Sequence, residues 1–203
     1  MKPFLPLLAA AGLAIGAMAS VAHADDNWVL RFGAHVVDPK SNTGRLAGMK
    51  SRIDSDVKPT FSLEYMFTPN WGLDVLGALP FKHEVKLDSQ KAATTKQLPP
   101  TVGVNYHFAP DAEVSPFLGV GLNYTYFYNT KGRGLLQGSK VKIDNSWGVA
   151  GHAGLDFKLS PQWILTADVR YMDIKSNVHV DSEKVGKVKI DPWAYGLSFG
   201  YHF

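Results

Sequence analysis

The chain predicts an all-β fold: an eight-stranded antiparallel transmembrane β-barrel with short periplasmic turns and long extracellular loops. Three observations carry this. Residues Trp193 to Phe203 alternate large apolar with small or polar side chains. A period of two puts Trp193, Tyr195, Leu197, Phe199, Tyr201 and Phe203 on one face and Ala194, Gly196, Ser198, Gly200 and His202 on the other. Further runs of the same kind precede it, making an even number of strands in all. The connections between them alternate between tight turns and long polar segments, as in outer-membrane barrels. One such strand cannot cross a bilayer alone, because each unpaired backbone group would cost several kcal/mol in hydrocarbon. Closure into a barrel is therefore required.

Residues 1–24 read as a secretory signal peptide, with Lys2 as the positive region, an apolar stretch from Phe4 to Ser20, and Ala22-His23-Ala24 as the cleavage site. Residues 25–203 then form the barrel. Its strands are expected at Trp28–Val37, Val57–Phe67, Trp71–Phe81, Leu98–Phe108, Val114–Tyr128, Trp147–Leu159, Trp163–Ile174 and Asp191–Phe203. Ten residues tilted by about 40° rise roughly 25 Å, the height of the apolar band on such barrels. Pro, Asn and Asp in Thr68-Pro69-Asn70, Ala109 to Glu113 and Ser160-Pro161-Gln162 supply tight periplasmic turns. Segments 38–56, 82–97, 129–146 and 175–190 are read as long polar loops on the extracellular side, which leaves both termini periplasmic. Aromatics at strand ends, among them Trp28, Trp71, Trp147, Trp163 and Trp193, fall at the two interfaces.

A mean hydropathy of −0.09 conceals the membrane signal, because alternation averages the two faces of each strand. The chain has no cysteine, so disulfides play no part in its stability in an oxidising compartment. The long segments hold 16 of the 20 Lys and Arg residues beyond Lys2, with Lys131, Arg133, Lys140 and Lys142 the most one-sided group. That suits contact with lipopolysaccharide phosphates or an ordinary solvated surface. Export makes a nucleic-acid partner improbable.

Eight strands enclose an interior that side chains fill or that holds one small ligand. Sorted by depth, the inward positions separate. The periplasmic half receives Arg31, Glu64, Asp74, Asn105, His107, Asp156, Lys158, Asp168 and Arg170, expected to form a salt-bridged plug because buried charges persist only when paired. The extracellular half receives Leu76, Ala78, Pro80, Pro99, Phe127, Ala150, Met172, Ile174 and Ala194, with Thr60, Thr101 and Thr125 among them. An apolar funnel over a charged floor suits a hydrophobic solute, which would have to leave sideways. Pro99-Pro100 at the start of the fourth strand, facing Pro80, weaken the wall there, since proline donates no ladder hydrogen bond. Lateral release between the third and fourth strands follows as an expectation.

These residues resemble the OmpW family of outer-membrane proteins, including its AlkL-like members. The similar segments are Gly72 to His83, Gln97-Leu98-Pro99-Pro100-Thr101, Pro116 to Tyr124, Asp144-Asn145-Ser146-Trp147-Gly148, Tyr171-Met172-Asp173-Ile174 and Asp191-Pro192-Trp193. The resemblance implies a hydrophobic lumen, a closed periplasmic end and lateral delivery of small hydrophobic molecules, with Leu76 at the base of the lumen. Tyr201 and Phe203 look like the signal that barrel-assembly machinery reads. Several members carry Trp immediately before the Tyr-Met-Asp run where this chain has Arg170, which makes the floor here ionic rather than aromatic.

The implied partners are outer-membrane lipid and lipopolysaccharide, small hydrophobic solutes, and the assembly machinery during biogenesis. No enzyme is expected: His83, Asp88 and Ser89 share one segment, but nothing in their spacing orients a base against a nucleophile. No cofactor or metal is expected either, since the histidines lack ligand spacing. Gly119-Val120-Gly121 is not read as a nucleotide loop, because it lies mid-strand with Tyr124 where a third glycine would be required; its glycines make room inside the barrel. The competing functions are a structural or surface-interaction barrel acting through its loops, and a narrow channel for small polar solutes.

Overall fold

The computed structural model describes residues 27–203, so the predicted signal peptide lies outside the described residues. From the N-terminus the strands are β1 (Trp28–Asp38), β2 (Gly44–Leu46), β3 (Met49–Ile53), β4 (Asp56–Met66), β5 (Trp71–Ala78), β6 (Phe81–Leu87), β7 (Gln90–Leu98) and β8 (Thr101–His107). There follow β9 (Val114–Gly132), β10 (Val141–Ile143), β11 (Ser146–Lys158), β12 (Trp163–Met172), β13 (Lys175–Val180), β14 (Glu183–Lys189) and β15 (Trp193–His202).

The eight expected membrane strands are β1, β4, β5, β8, β9, β11, β12 and β15, and they close into an antiparallel barrel through β8–β9 and β1–β15. Alternation dictates which side chains meet lipid. Phe32, Leu118, Val120, Leu122, Val149, Leu197 and Phe199 all lie exposed on the outer wall. The ends of that apolar belt carry paired rings, as expected for aromatic girdles. Trp28–Tyr65, Trp71–Tyr106 and Trp163–Tyr201 mark the periplasmic rim, Tyr124–Trp147 and Tyr171–Trp193 the extracellular one, all with centroids 4.7 to 5.2 Å apart.

The long polar segments of the extracellular side are ordered as strands, a point their composition leaves open. They supply seven further strands which, with the upper part of β9, form a second sheet in the order β10-β13-β14-β2-β3-β6-β7-β9. The β10 edge lies against β9, so this outer sheet curls most of the way round. The physical reason is a second alternation hidden by lysine. In β6, Phe81, His83, Val85 and Leu87 are buried while Lys82, Glu84 and Lys86 face outward. The same pattern occurs twice more as Lys-Val-Lys-Ile-Asp, at 140–144 and 187–191, where Ile143 and Ile190 are buried. Tight hairpin tips let these short strands pair. Asp88-Ser89 and Asp181-Ser182 both adopt positive φ, the backbone that two-residue hairpin turns demand.

One continuous apolar core fills the outer sheet and the top of the barrel. It contains Val37, Leu46, Ile53, Phe81, Leu87, Phe127, Ala150, Met172, Ile174, Val178, Val188, Ile190 and Ala194.

Candidate functional site

Inward alternation brings charged and polar residues from six strands into one layer in the periplasmic half of the barrel. Arg31 Nη1 of β1 pairs with Glu64 of β4 at 2.5 Å, and its Nη2 with Asp156 of β11 at 2.9 Å. Arg31 Nε donates to Thr166 Oγ1 of β12 (3.1 Å), and the Thr166 hydroxyl donates to Asp156 (2.5 Å). Glu64 also takes a hydrogen bond from Asn105 at 2.8 Å and lies 3.1 Å from His107 Nε2. One turn of side chains higher, Arg170 reaches Asp74 and Asp168, each at 3.2 Å. Asp168 is held in addition by His35 (3.0 Å) and His152 (3.1 Å), while His35 Nδ1 meets Thr60 Oγ1 at 2.6 Å.

Glycines across the wall make this layer possible. A Cβ on Gly72, Gly119 or Gly196 would run into the side chains of Glu64, Asn105 and His35 respectively. Each buried ion would cost several kcal/mol unpaired, so mutual satisfaction is what lets the layer exist. Arg31, Glu64, Asp74, Asp156, Asp168 and Arg170 thus come together where the sequence placed them. Lys158 does not: it is exposed at the periplasmic end of β11 and takes no part in the network. Thr166 and the Asp168 ligands His35 and His152 belong to the layer and were missed as its members. Their inward parity alone was the available signal.

Above this floor Leu76, Phe127, Met172 and Ile174 are buried, as are Ala150 and Ala194. The expected open funnel is filled, because the outer sheet folds over it and its own apolar faces complete the packing. Cavities beside His152 and Arg170 have volumes of only about 10 Å³ each, barely the room for one water.

The wall itself is interrupted at one place. β5 and β8 pair up to Leu76↔Thr101, and β6 and β7 resume pairing at Phe81↔Gln97. Between these rungs, Gly77-Ala78-Leu79-Pro80 face Leu98-Pro99-Pro100 without a ladder. The sequence reading had run the third strand through to Phe81 and begun the fourth at Leu98. The prolines end both early, because Pro80, Pro99 and Pro100 have no N–H to give. The surrounding bonds turn away from the seam. Leu79 N–H donates to the Pro59 carbonyl, Tyr124 N–H to that of Pro100, and Asn123 Nδ2 to those of Pro99 and Pro100. Pro99 is buried, Ala78 and Pro80 are half-buried and Pro100 is exposed. Because Tyr124 belongs to the upper girdle, the gap sits at the extracellular membrane boundary.

Tyr201 and Phe203 stack at the periplasmic rim, with the Phe203 backbone bonded to Trp28. His83, Asp88 and Ser89 are not brought together: the His83 ring is buried with Nδ1 on the Asp54 carbonyl at 2.7 Å, whereas Asp88 and Ser89 form the hairpin tip.

A closed antiparallel cylinder with an apolar outer belt, aromatic girdles and an ion-paired interior defines a bacterial outer-membrane barrel. The chain belongs to the OmpW family, whose profile matches residues 25–203. It is similar to outer membrane protein W of Vibrio cholerae, 33% identical over 197 residues, covering 90% of this chain and 91% of that one. It is also similar to outer membrane protein AlkL of Ectopseudomonas oleovorans, at 26% identity over 91% of this chain and 85% of that one. Among solved structures, the crystal structure of OprG from Pseudomonas aeruginosa superimposes with a TM-score of 0.77 at 32% identity, covering 89% of this chain and 97% of that one. The protein therefore resides in the outer membrane of a Gram-negative bacterium.

Proposed function

We propose that this barrel admits small hydrophobic molecules passively from the extracellular side and releases them sideways into the membrane. The observation that carries the reading is the unpaired stretch of wall at residues 77–80 and 98–100, which opens onto the apolar core rather than onto the charged floor. An ion-paired layer below blocks axial passage of an uncharged solute, so a molecule in the upper interior has only the wall to leave by. Leu76, Ala78, Pro80, Pro99, Pro100, Phe127, Met172 and Ile174 line that route. Passage requires these side chains to move aside, since the interior is dense in the state described. Met172 suits this, having an unbranched and adaptable chain. Lipopolysaccharide and lipid surround the barrel, and Tyr201 with Phe203 would present the strand that assembly machinery grips.

The same density favours one competing reading, a barrel that acts only through its outer sheet. A reversible lock separates the two. The native chain has no cysteine, so Ala78→Cys with Pro99→Cys would place the only two thiols across the seam. In liposomes, oxidation is expected to cut uptake of an alkane at least about tenfold, with recovery on reduction. Uptake indifferent to the lock overturns lateral release. No uptake by the unlocked barrel overturns transport and leaves the surface reading.

A further inference from the structure

The lintel of the gap contains a polar side chain that the apolar core does not satisfy. Gln97 is fully buried, faces inward from β7, and is flanked across both neighbouring strands by Phe81 and Phe127. Neither Oε1 nor Nε2 of Gln97 has a hydrogen-bond partner among the described residues. Two residues along β6 from Phe81, on the same inward face, the buried His83 has its Nε2 equally without a partner. Such diagonal neighbours in an antiparallel pair have Cβ atoms about 7 Å apart, close enough for both to reach one small group. Each orphaned atom costs about 1–3 kcal/mol, so three in one apolar patch mark a place built for something polar.

The donors and acceptors specify what. His83 Nδ1 lies 2.7 Å from the Asp54 carbonyl oxygen, which can only accept, so the proton is on Nδ1 and Nε2 offers a lone pair. Burial depresses the His83 pKa against the Asp54 carbonyl and nearby carboxylates, which favours the neutral ring. Gln97 offers an NH2 group as donor and a carbonyl oxygen as acceptor in either orientation of its amide.

We infer that Gln97 and His83 form a polar subsite at the exit for an apolar molecule bearing one hydroxyl group, an aliphatic alcohol or a phenol. The hydroxyl donates to His83 Nε2 and accepts from Gln97 Nε2, while the hydrocarbon body lies against Phe81 and Phe127. This rests on the uptake reading and narrows its substrate class from hydrocarbons in general to hydroxylated ones.

Binding can be measured without transport, which keeps the two readings apart. The full barrel in lipid nanodiscs, labelled with ¹⁵N-histidine, is titrated with 1-octanol and separately with octane. The expected result is a shift of the His83 Nε2 resonance with 1-octanol only. Gln97→Leu is expected to weaken 1-octanol binding about tenfold, the loss of one hydrogen bond in a dry site. Gln97→Met, closer in length, serves as the second variant. Equal responses to the two probes, or 1-octanol affinity unchanged in both variants, would overturn the subsite whatever the outcome of the uptake assay. Should octane enter liposomes through the barrel while 1-octanol leaves His83 unmoved, transport stands and the subsite falls.

Discussion

The membrane cylinder and the sheet above it are built from the same element and filled in opposite senses. In the cylinder the ions point inward and the apolar side chains outward; in the outer sheet Ile143, Val178 and Val188 point inward and the lysines outward. Solvent decides the difference. Lipid around the cylinder takes the apolar face, leaving the narrow interior to polar groups that must satisfy one another. Water around the outer sheet takes the charges and drives the apolar face inside. The join between the two fillings falls at Leu76, Thr101, Ala150 and Met172, beside the gap in the wall.

The comparison breaks most readily at Arg31, which holds two buried carboxylates. Arg31→Ala leaves Glu64 and Asp156 without their cation, and an expected loss of about 3–5 kcal/mol would show in urea unfolding of the barrel in detergent. The outer sheet should respond to cavities instead of charges. Ile174 is fully buried, and Ile174→Ala is expected to cost about 2–4 kcal/mol. Hydrogen exchange should quicken in β13 and β14 while the membrane strands keep their protection. The smallest effect concerns pH. His83 in the outer sheet has a pKa depressed below its ordinary 6.5, chiefly by burial. As pH falls below about 6.5 the unfolded form takes up a proton and the folded one does not, so the stabilisation present above that value is progressively lost. Corrected for the intrinsic pH dependence of amide exchange, protection in β6 and β7 should therefore be lower at pH 5.5 than at pH 7.5, and His83→Gln should erase that difference in protection. A hairpin insensitive to pH would mean that the ring is better solvated than its burial suggests.

The membrane strands were legible because a lipid-facing strand must alternate without exception over about ten residues. Their inward charges followed from the same parity. The ends were less so: Lys158 has the right parity but lies past the last depth at which the wall encloses it, and Pro80 and Pro99 stop strands that their apolar neighbours would prolong. The outer sheet escaped notice because its strands are only three to nine residues long and their exposed faces carry most of the lysine in the chain. The duplicated Lys-Val-Lys-Ile-Asp was the overlooked clue. Asp168 gathers His152 from the adjacent β11 and His35 from β1, two strands round the ring and 133 residues distant, which only the closing of the cylinder reveals. Gln97, in a segment that reads as polar, gives no hint in one dimension that its amide is walled in by phenyl rings.

β9 runs for 19 residues through both bodies, bonding to β8 and β11 in its lower part and to β7 above. At about 3.3 Å per residue it is a mast of roughly 60 Å. Its foot is clamped from both flanks inside the bilayer, so the crown cannot swivel freely on the wall beneath. Among the chain's several crossings between crown and wall, β9 alone among the described strands makes its crossing as one unbroken strand. Force on the cell-surface end therefore reaches the Tyr124–Pro100 bond beside the gap along a continuous backbone ladder.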